Sequence, residues 1–239
     1  MPVYKPGNTG RITAHNLWGK NLMAEAVTGL SVNEINCTRG YRELFSGLNF
    51  SIQPGEILRV EGENGSGKTS LLRILAGLAE PLDGGVRWND QAIKHPDTGY
   101  FETMFYLGHR PAIKYELTPV ENLSMARALS GSRDDKSIEE ALRQIGLYGF
   151  EEIISGNLSA GQKRRVALAQ LLLTRAKLWI LDEPYTSLDV AAVSFLDELF
   201  KHHVKNGGTL IITSHQPVQV EGCVYKRLLL PNTELEQVA

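Results

Sequence analysis

Three observations predict an α/β fold with a mainly parallel sheet. Strand-length apolar runs stand at residues 56–60, 178–182 and 209–213. Such runs suit strands covered on both faces. Helical patterns at about 68–78, 161–174 and 191–205 come between them, so strands and helices alternate along the chain. A glycine-rich loop, Gly62-Glu63-Asn64-Gly65-Ser66-Gly67-Lys68-Thr69, joins the first of these strands to the first helix. Ligands collect at such strand-to-helix junctions.

Residues 1–28 mix Pro2, Pro6, Gly7, Gly10 and Gly19 with scattered polar side chains and show little periodicity. They are expected to form a disordered tail. Residues 30–37 alternate as a strand does, and 44–52 repeat the pattern before the Pro54-Gly55 turn. After the first helix, residues 81–85 break the chain, and short strands are expected at 86–88 and 105–107. Residues 119–147 turn helical, with a polar interruption at 131–136. The helix at 191–205 stops at Asn206-Gly207-Gly208, a C-terminal signal. A strand at 224–230 closes the domain.

Composition removes several functional classes. The 239 residues carry a formal net charge of −2, so no basic excess points to nucleic acid. The short run Lys163-Arg164-Arg165 reads as a solvated helix face, and so does His202-His203. Two cysteines, Cys37 and Cys223, lie far apart without metal-ligand spacing. They are expected to be packed or incidental thiols in a reducing compartment. No apolar run approaches the roughly 20 residues that span a bilayer, which predicts a soluble or peripheral protein.

The glycine-rich loop fits GxxxxGK[ST] in full and sits in the context that the motif requires. Glycines let successive N–H groups turn toward phosphate, and the helix that follows adds its positive end. Lys68 is expected to reach the β- and γ-phosphates of ATP, and Thr69 to place its hydroxyl on Mg²⁺. Ser70 follows on the same helix and joins the ATP-binding set. The run Leu178-Trp179-Ile180-Leu181 ends in Asp182-Glu183. Burial of that strand would fix its acidic end beside the phosphate loop. Asp182 would hold Mg²⁺ through water, and Glu183 would act as general base on the attacking water.

Leu158-Ser159-Ala160-Gly161-Gln162 is one residue from LSGGQ. With the phosphate loop and the acidic pair, it makes residues from about 30 to 239 resemble the ATP-binding-cassette (ABC) ATPases. The resemblance implies a P-loop NTPase of ABC type, with a mainly parallel core, an antiparallel β part and an inserted helical subdomain. The ATP-binding domain would span 29–239, with the helical subdomain at about 110–175. It also implies that Ser159, Ala160, Gly161 and Gln162 contact ATP held by a second copy, so the chain would work as a homodimer. Ser187-Leu188-Asp189 resembles the D-loop of the family, and His215 its γ-phosphate switch histidine. Two positions depart from the usual pattern: His109 stands where a glutamine is usual, and the adenine-stacking residue is best matched by Tyr41, with Arg39 aligned about as well.

A longer set of segments is similar to one subfamily, the ATP-binding subunits of cytochrome c maturation systems. It comprises Gly108-His109-Arg110-Pro111-Ala112-Ile113-Lys114, Glu121-Asn122-Leu123, the LSAGQKRRVAL run from Leu158, and Ser214-His215-Gln216-Pro217. That likeness implies a peripheral ATPase on the cytoplasmic face of the bacterial inner membrane. It would dock on transmembrane subunits of a cytochrome c maturation complex, and hydrolysis would drive haem export or release of a haem-loaded haem chaperone. The alternatives are the ATPase of another exporter or importer, of lipid, metal or drug, and a soluble ABC switch protein.

Overall fold

The computed structural model describes residues 29–130, 137–215, 220, 222–231 and 234–238. The expected tail at 1–28, the polar interruption at 131–136 and the pair Gln216-Pro217 lie outside the described residues. No helix among the described residues is long and apolar enough to cross a membrane.

Two sheets make the framework. The central one holds β3 (Glu56–Gly62), β6 (Met104–Leu107), β7 (Leu178–Asp182), β8 (Thr209–Thr213), β9 (Val224–Leu230) and β10 (Glu234–Val238). Its order is β10-β9-β3-β8-β7-β6, and every pair is parallel except the hairpin of β9 with β10. The second sheet is antiparallel. It is built from β1 (Leu30–Arg39), β2 (Arg42–Ile52), β4 (Asp83–Trp88) and β5 (Gln91–Ala92), in the order β2-β1-β4-β5. The ABC-type α/β core and its antiparallel part are therefore both present.

The central strands read as continuous apolar runs because each feeds two cores. Leu58, Val60, Leu178, Ile180 and Ile211 face the antiparallel sheet, together with Leu71, Leu72, Ile74 and Leu75 of helix α1 (Lys68–Leu75). The alternate positions Ile57, Trp179, Leu181, Leu210 and Ile212 face the other way. They pack on helices α5 (Ala160–Leu173) and α6 (Val190–Lys205). The period-2 alternation of strand side chains thus serves both layers at once.

Helix ends follow local chemistry. α1 stops three residues earlier than its apolar pattern suggests. Gly77 at φ +69° completes a Schellman turn, in which Leu78 N donates to Arg73 O at 2.8 Å and Gly77 N to Ile74 O at 3.0 Å. A short helix, α2 (Tyr100–Thr103), leads into β6. Helix α3 (Pro119–Leu129) starts with a capping box between Thr118 and Glu121 and has proline in its first turn. Helix α4 (Ile138–Gln144) is capped by Ser137. Both α3 and α4 pack against α5.

Candidate nucleotide site

The phosphate loop leaves β3 and enters α1 with the backbone turns that its glycines permit. Gly62 (φ +142°) has no room for a side chain: a Cβ there would sit 2.5 Å from Leu230 O and 2.6 Å from Ser66 Oγ. Gly67 (φ +105°) starts α1 without any side-chain cap, and a Cβ on it would meet the Phe45 ring at 3.0 Å. The first-turn N–H groups of α1 therefore remain available to an anion. Lys68 folds back over the loop, and its Nζ donates to Gly62 O at 2.7 Å and to Glu63 O at 3.1 Å.

The end of β7 faces this loop. The Asp182 carboxylate is buried and accepts two hydroxyl hydrogen bonds, from Thr69 Oγ1 at 2.8 Å and from Thr213 Oγ1 at 2.7 Å. Thr213 Oγ1 also accepts from Glu183 N at 2.9 Å. One buried hydroxyl at the end of β8 thus ties both acids in place. Glu183 has a left-handed backbone, φ +50°, an uncommon state for a non-glycine residue and one that clusters at functional sites. Its Oε2 accepts from His215 N at 3.3 Å, and its Oε1 lies 3.5 Å from His215 Nε2. Among the described residues, Oε1 is buried without a hydrogen-bond partner.

Gly67, Lys68, Thr69, Asp182, Glu183 and His215 line one cleft of about 420 Å³, together with Asn64, Gly65, Ser70 and His109. Arg39 and Arg42 line it as well, whereas Tyr41 does not and is fully exposed at the turn between β1 and β2. The cleft can take a polyphosphate: N–H groups and Lys68 supply positive charge, and Glu183 Oε1 offers an acceptor for a water proton. The Thr69 hydroxyl and the Asp182 carboxylate are hard oxygen donors. That set suits Mg²⁺, which takes one or two protein ligands and fills its shell with phosphate and water. Beside the cleft, the half-buried Tyr106 phenol is pushed up by burial first and by the Asp182 charge second.

Residues 159–162 do not line the cleft. Locally they are a helix start. Ser159 Oγ accepts from Gln162 N at 3.2 Å, and Gln162 Oε1 accepts from Ser159 N at 2.8 Å, a complete capping box. Gly161 packs on Ser187, the first residue of Ser187-Leu188-Asp189, and a Cβ there would fall 2.6 Å from Ser187 O. Asp189 caps α6 through Ala192 N at 2.9 Å and pairs with Arg165 Nη2 at 2.5 Å.

Two expectations from sequence are corrected. The basic run is not a solvated face: Arg164 is buried, and Arg165 also donates to Ile145 O and Gly146 O. Nor is His203 solvated. It stacks on Trp179 with ring centroids 3.7 Å apart, and its Nε2 lies 3.3 Å from Thr209 O. Cys37 is buried and Cys223 half-buried, and both are free thiols.

The ABC transporter family model matches residues 45–186. The cytochrome c biogenesis ATP-binding export protein CcmA of Methylococcus capsulatus is 50% identical over 194 residues, covering 81% of this chain and 94% of that protein. A solved ATP-binding subunit of an ABC transporter superposes with a TM-score of 0.76 at 24% identity, over 88% of this chain and 90% of that one. A dimeric ATP-binding cassette in a post-hydrolysis state, bound to ADP and Pi, gives a TM-score of 0.74 at 22% identity, over 88% and 99%. At such identities the two structures speak for the fold alone. The chain belongs to the ABC transporter family of ATP-binding proteins and, within it, to the cytochrome c biogenesis ATP-binding export proteins.

Proposed function

We propose that this chain is the ATP-hydrolysing subunit of a membrane ABC complex in cytochrome c biogenesis. Hydrolysis is coupled there to haem export or to release of a haem-loaded haem chaperone. The observation that carries the hydrolytic part is Glu183 Oε1, a buried acceptor that takes no hydrogen bond among the described residues, on a residue held at the mouth of a phosphate loop by Thr213. The relation to the cytochrome c biogenesis export proteins carries the biological part.

Loop N–H groups and Lys68 hold the β- and γ-phosphates, and His215 senses the γ-phosphate beside Glu183. Glu183 takes a proton from the attacking water, a role typically worth ~10²–10⁴ in rate. Thr69 and Asp182 would hold Mg²⁺, which when bound would supply positive charge against the phosphate oxygens. His109 occupies the usual glutamine place and orients water or metal. Ser159, Ala160, Gly161 and Gln162 close over ATP held by a second copy, so the working unit is a homodimer. Loss of the γ-phosphate contacts then weakens the dimer, a two-state switch.

Residues from about 110 to 175 form the helical arm that meets transmembrane subunits, on the cytoplasmic face of the inner membrane. Support comes from Asn122, whose buried amide clasps the segment before α3. It donates to Lys114 O at 2.9 Å and Ser155 Oγ at 3.2 Å, and it accepts from Lys114 N at 2.7 Å. The segment that follows His109 is thus anchored to the arm while Lys114 stays exposed. The test is co-purification from detergent-solubilised membranes with identification of the bound subunits, beside cytochrome c assembly in cells lacking the gene. Membrane subunits of a cytochrome c maturation complex and lost assembly are expected. Subunits of another transporter, with normal assembly, would refute the reading.

A further inference from the structure

Arg164 lies early in α5 and is 3% exposed, yet it makes no ion pair among the described residues. Among those residues its guanidinium donates only to main-chain carbonyls. Nη1 reaches Gly108 O at 3.1 Å and His109 O at 3.3 Å. Nη2 reaches Asp182 O at 3.0 Å and Glu183 O at 2.8 Å, and Nε reaches Pro184 O at 3.2 Å. Burial lowers its pKa to about 10, against the raising influence of Asp182 and then Glu183, so the group stays charged at neutral pH. A buried charge is costly unless it is fully hydrogen-bonded. Here the five donors of a rigid planar fork are met by five acceptors.

The position of those acceptors gives the arrangement its meaning. Strands β6 and β7 pair from Met104↔Leu178 through Leu107↔Leu181 and then part. Beyond that point, the carbonyls of both segments need donors from elsewhere. Arg164 supplies them where the two strands diverge. One of these segments carries His109 and the other Glu183, and both side chains line the nucleotide cleft. The third element is α5 itself, whose first residues form the Ser159–Gln162 capping box.

We infer that Arg164 is a positioning residue for hydrolysis. Its planar fork sets the spacing between the His109 segment and the Glu183 segment and ties both to the helix that begins with Ser159–Gln162. The inference rests on the reading of Glu183 as general base. Its effect falls on the geometry of the attacking water, whereas ATP affinity is set by the phosphate loop, which Arg164 does not touch.

The experiment compares Arg164→Gln and Arg164→Lys with the parent protein and with Glu183→Gln. Each is measured for melting temperature, affinity for a fluorescent ATP analogue, and steady-state ATPase. Displacing a reacting group by an ångström typically costs ~10²-fold, so kcat of Arg164→Gln is expected to fall about that far while ATP affinity stays within about threefold. Unchanged kcat in a folded variant overturns the inference. So do kcat and affinity falling together, and so does failure of both variants to fold, which would make the arginine purely structural. If Glu183→Gln keeps normal turnover, the general-base reading itself fails. If Glu183→Gln is inactive and Arg164→Gln is fully active, only the Arg164 inference fails.

Discussion

Replacing Thr213 with valine keeps the shape of a fully buried side chain and deletes its hydroxyl. Two groups then lose partners at once: Glu183 N, at 2.9 Å, and Asp182 Oδ1, at 2.7 Å. A buried polar group left unsatisfied costs about 1–3 kcal/mol, and more if charged. Two such losses, one of them on a carboxylate, suggest about 3 kcal/mol in all. For a chain of this size each kcal/mol shifts the melting temperature by ~2–4 °C, so a fall of roughly 6–12 °C is expected. The larger consequence is kinetic, because this hydrogen bond holds Glu183 in its left-handed backbone state. ATPase kcat should fall about 10²-fold, and Thr213→Ser, which keeps the hydroxyl, should recover most of it. Calorimetry and a coupled ATPase assay on the three proteins are sufficient. Parent-like melting temperature and kcat in Thr213→Val would refute the claim that this hydroxyl organises the two acids.

Other perturbations reach separate parts of the molecule. Lys68→Ala removes the ammonium over the loop and should abolish ATP binding or hydrolysis; unchanged steady-state ATPase would contradict the phosphate-loop assignment. Lys114→Glu should leave basal ATPase intact but weaken association with membrane subunits, measured by pull-down and cytochrome c assembly; normal values in both would remove this segment from coupling. Burial pushes the His203 imidazole down to about 4, against about 6.5 when unfolded. Between those values the unfolded chain takes up a proton that the folded chain refuses, so stability is full above pH 6.5 and is lost as pH falls toward 4. At pH 5 the loss is about 2 kcal/mol. Denaturant titrations should show it in the parent and not in His203→Phe; equal pH dependence in both would exclude His203 as its source.

Motifs with obligatory backbone chemistry were the legible part. Gly62 and Gly67 announce turns that no Cβ could enter. The Ser159–Gln162 spacing is a capping box before it is anything else. The apolar strands are legible because their apolar residues face one or the other of two cores. Strands β5 and β10 were missed because they are too short or too polar to carry a pattern. Thr213 hid in the apolar run at 209–213, where a threonine reads as one more β-branched residue. Arg164 hid inside a basic run, because its partners are carbonyls 18 to 56 positions away in sequence. Side chains that satisfy main-chain groups over such distances leave no local periodicity to read.

In the proposed cycle, ATP joins two copies of this chain and Glu183 ends the joined state by hydrolysis. Sedimentation of Glu183→Gln with Mg²⁺ and ATP, against Mg²⁺ and ADP, reads the joined state. A stable dimer with ATP, a monomer with ADP, and little turnover are expected. A monomer in both nucleotides, or near-normal turnover in this variant, would contradict that cycle.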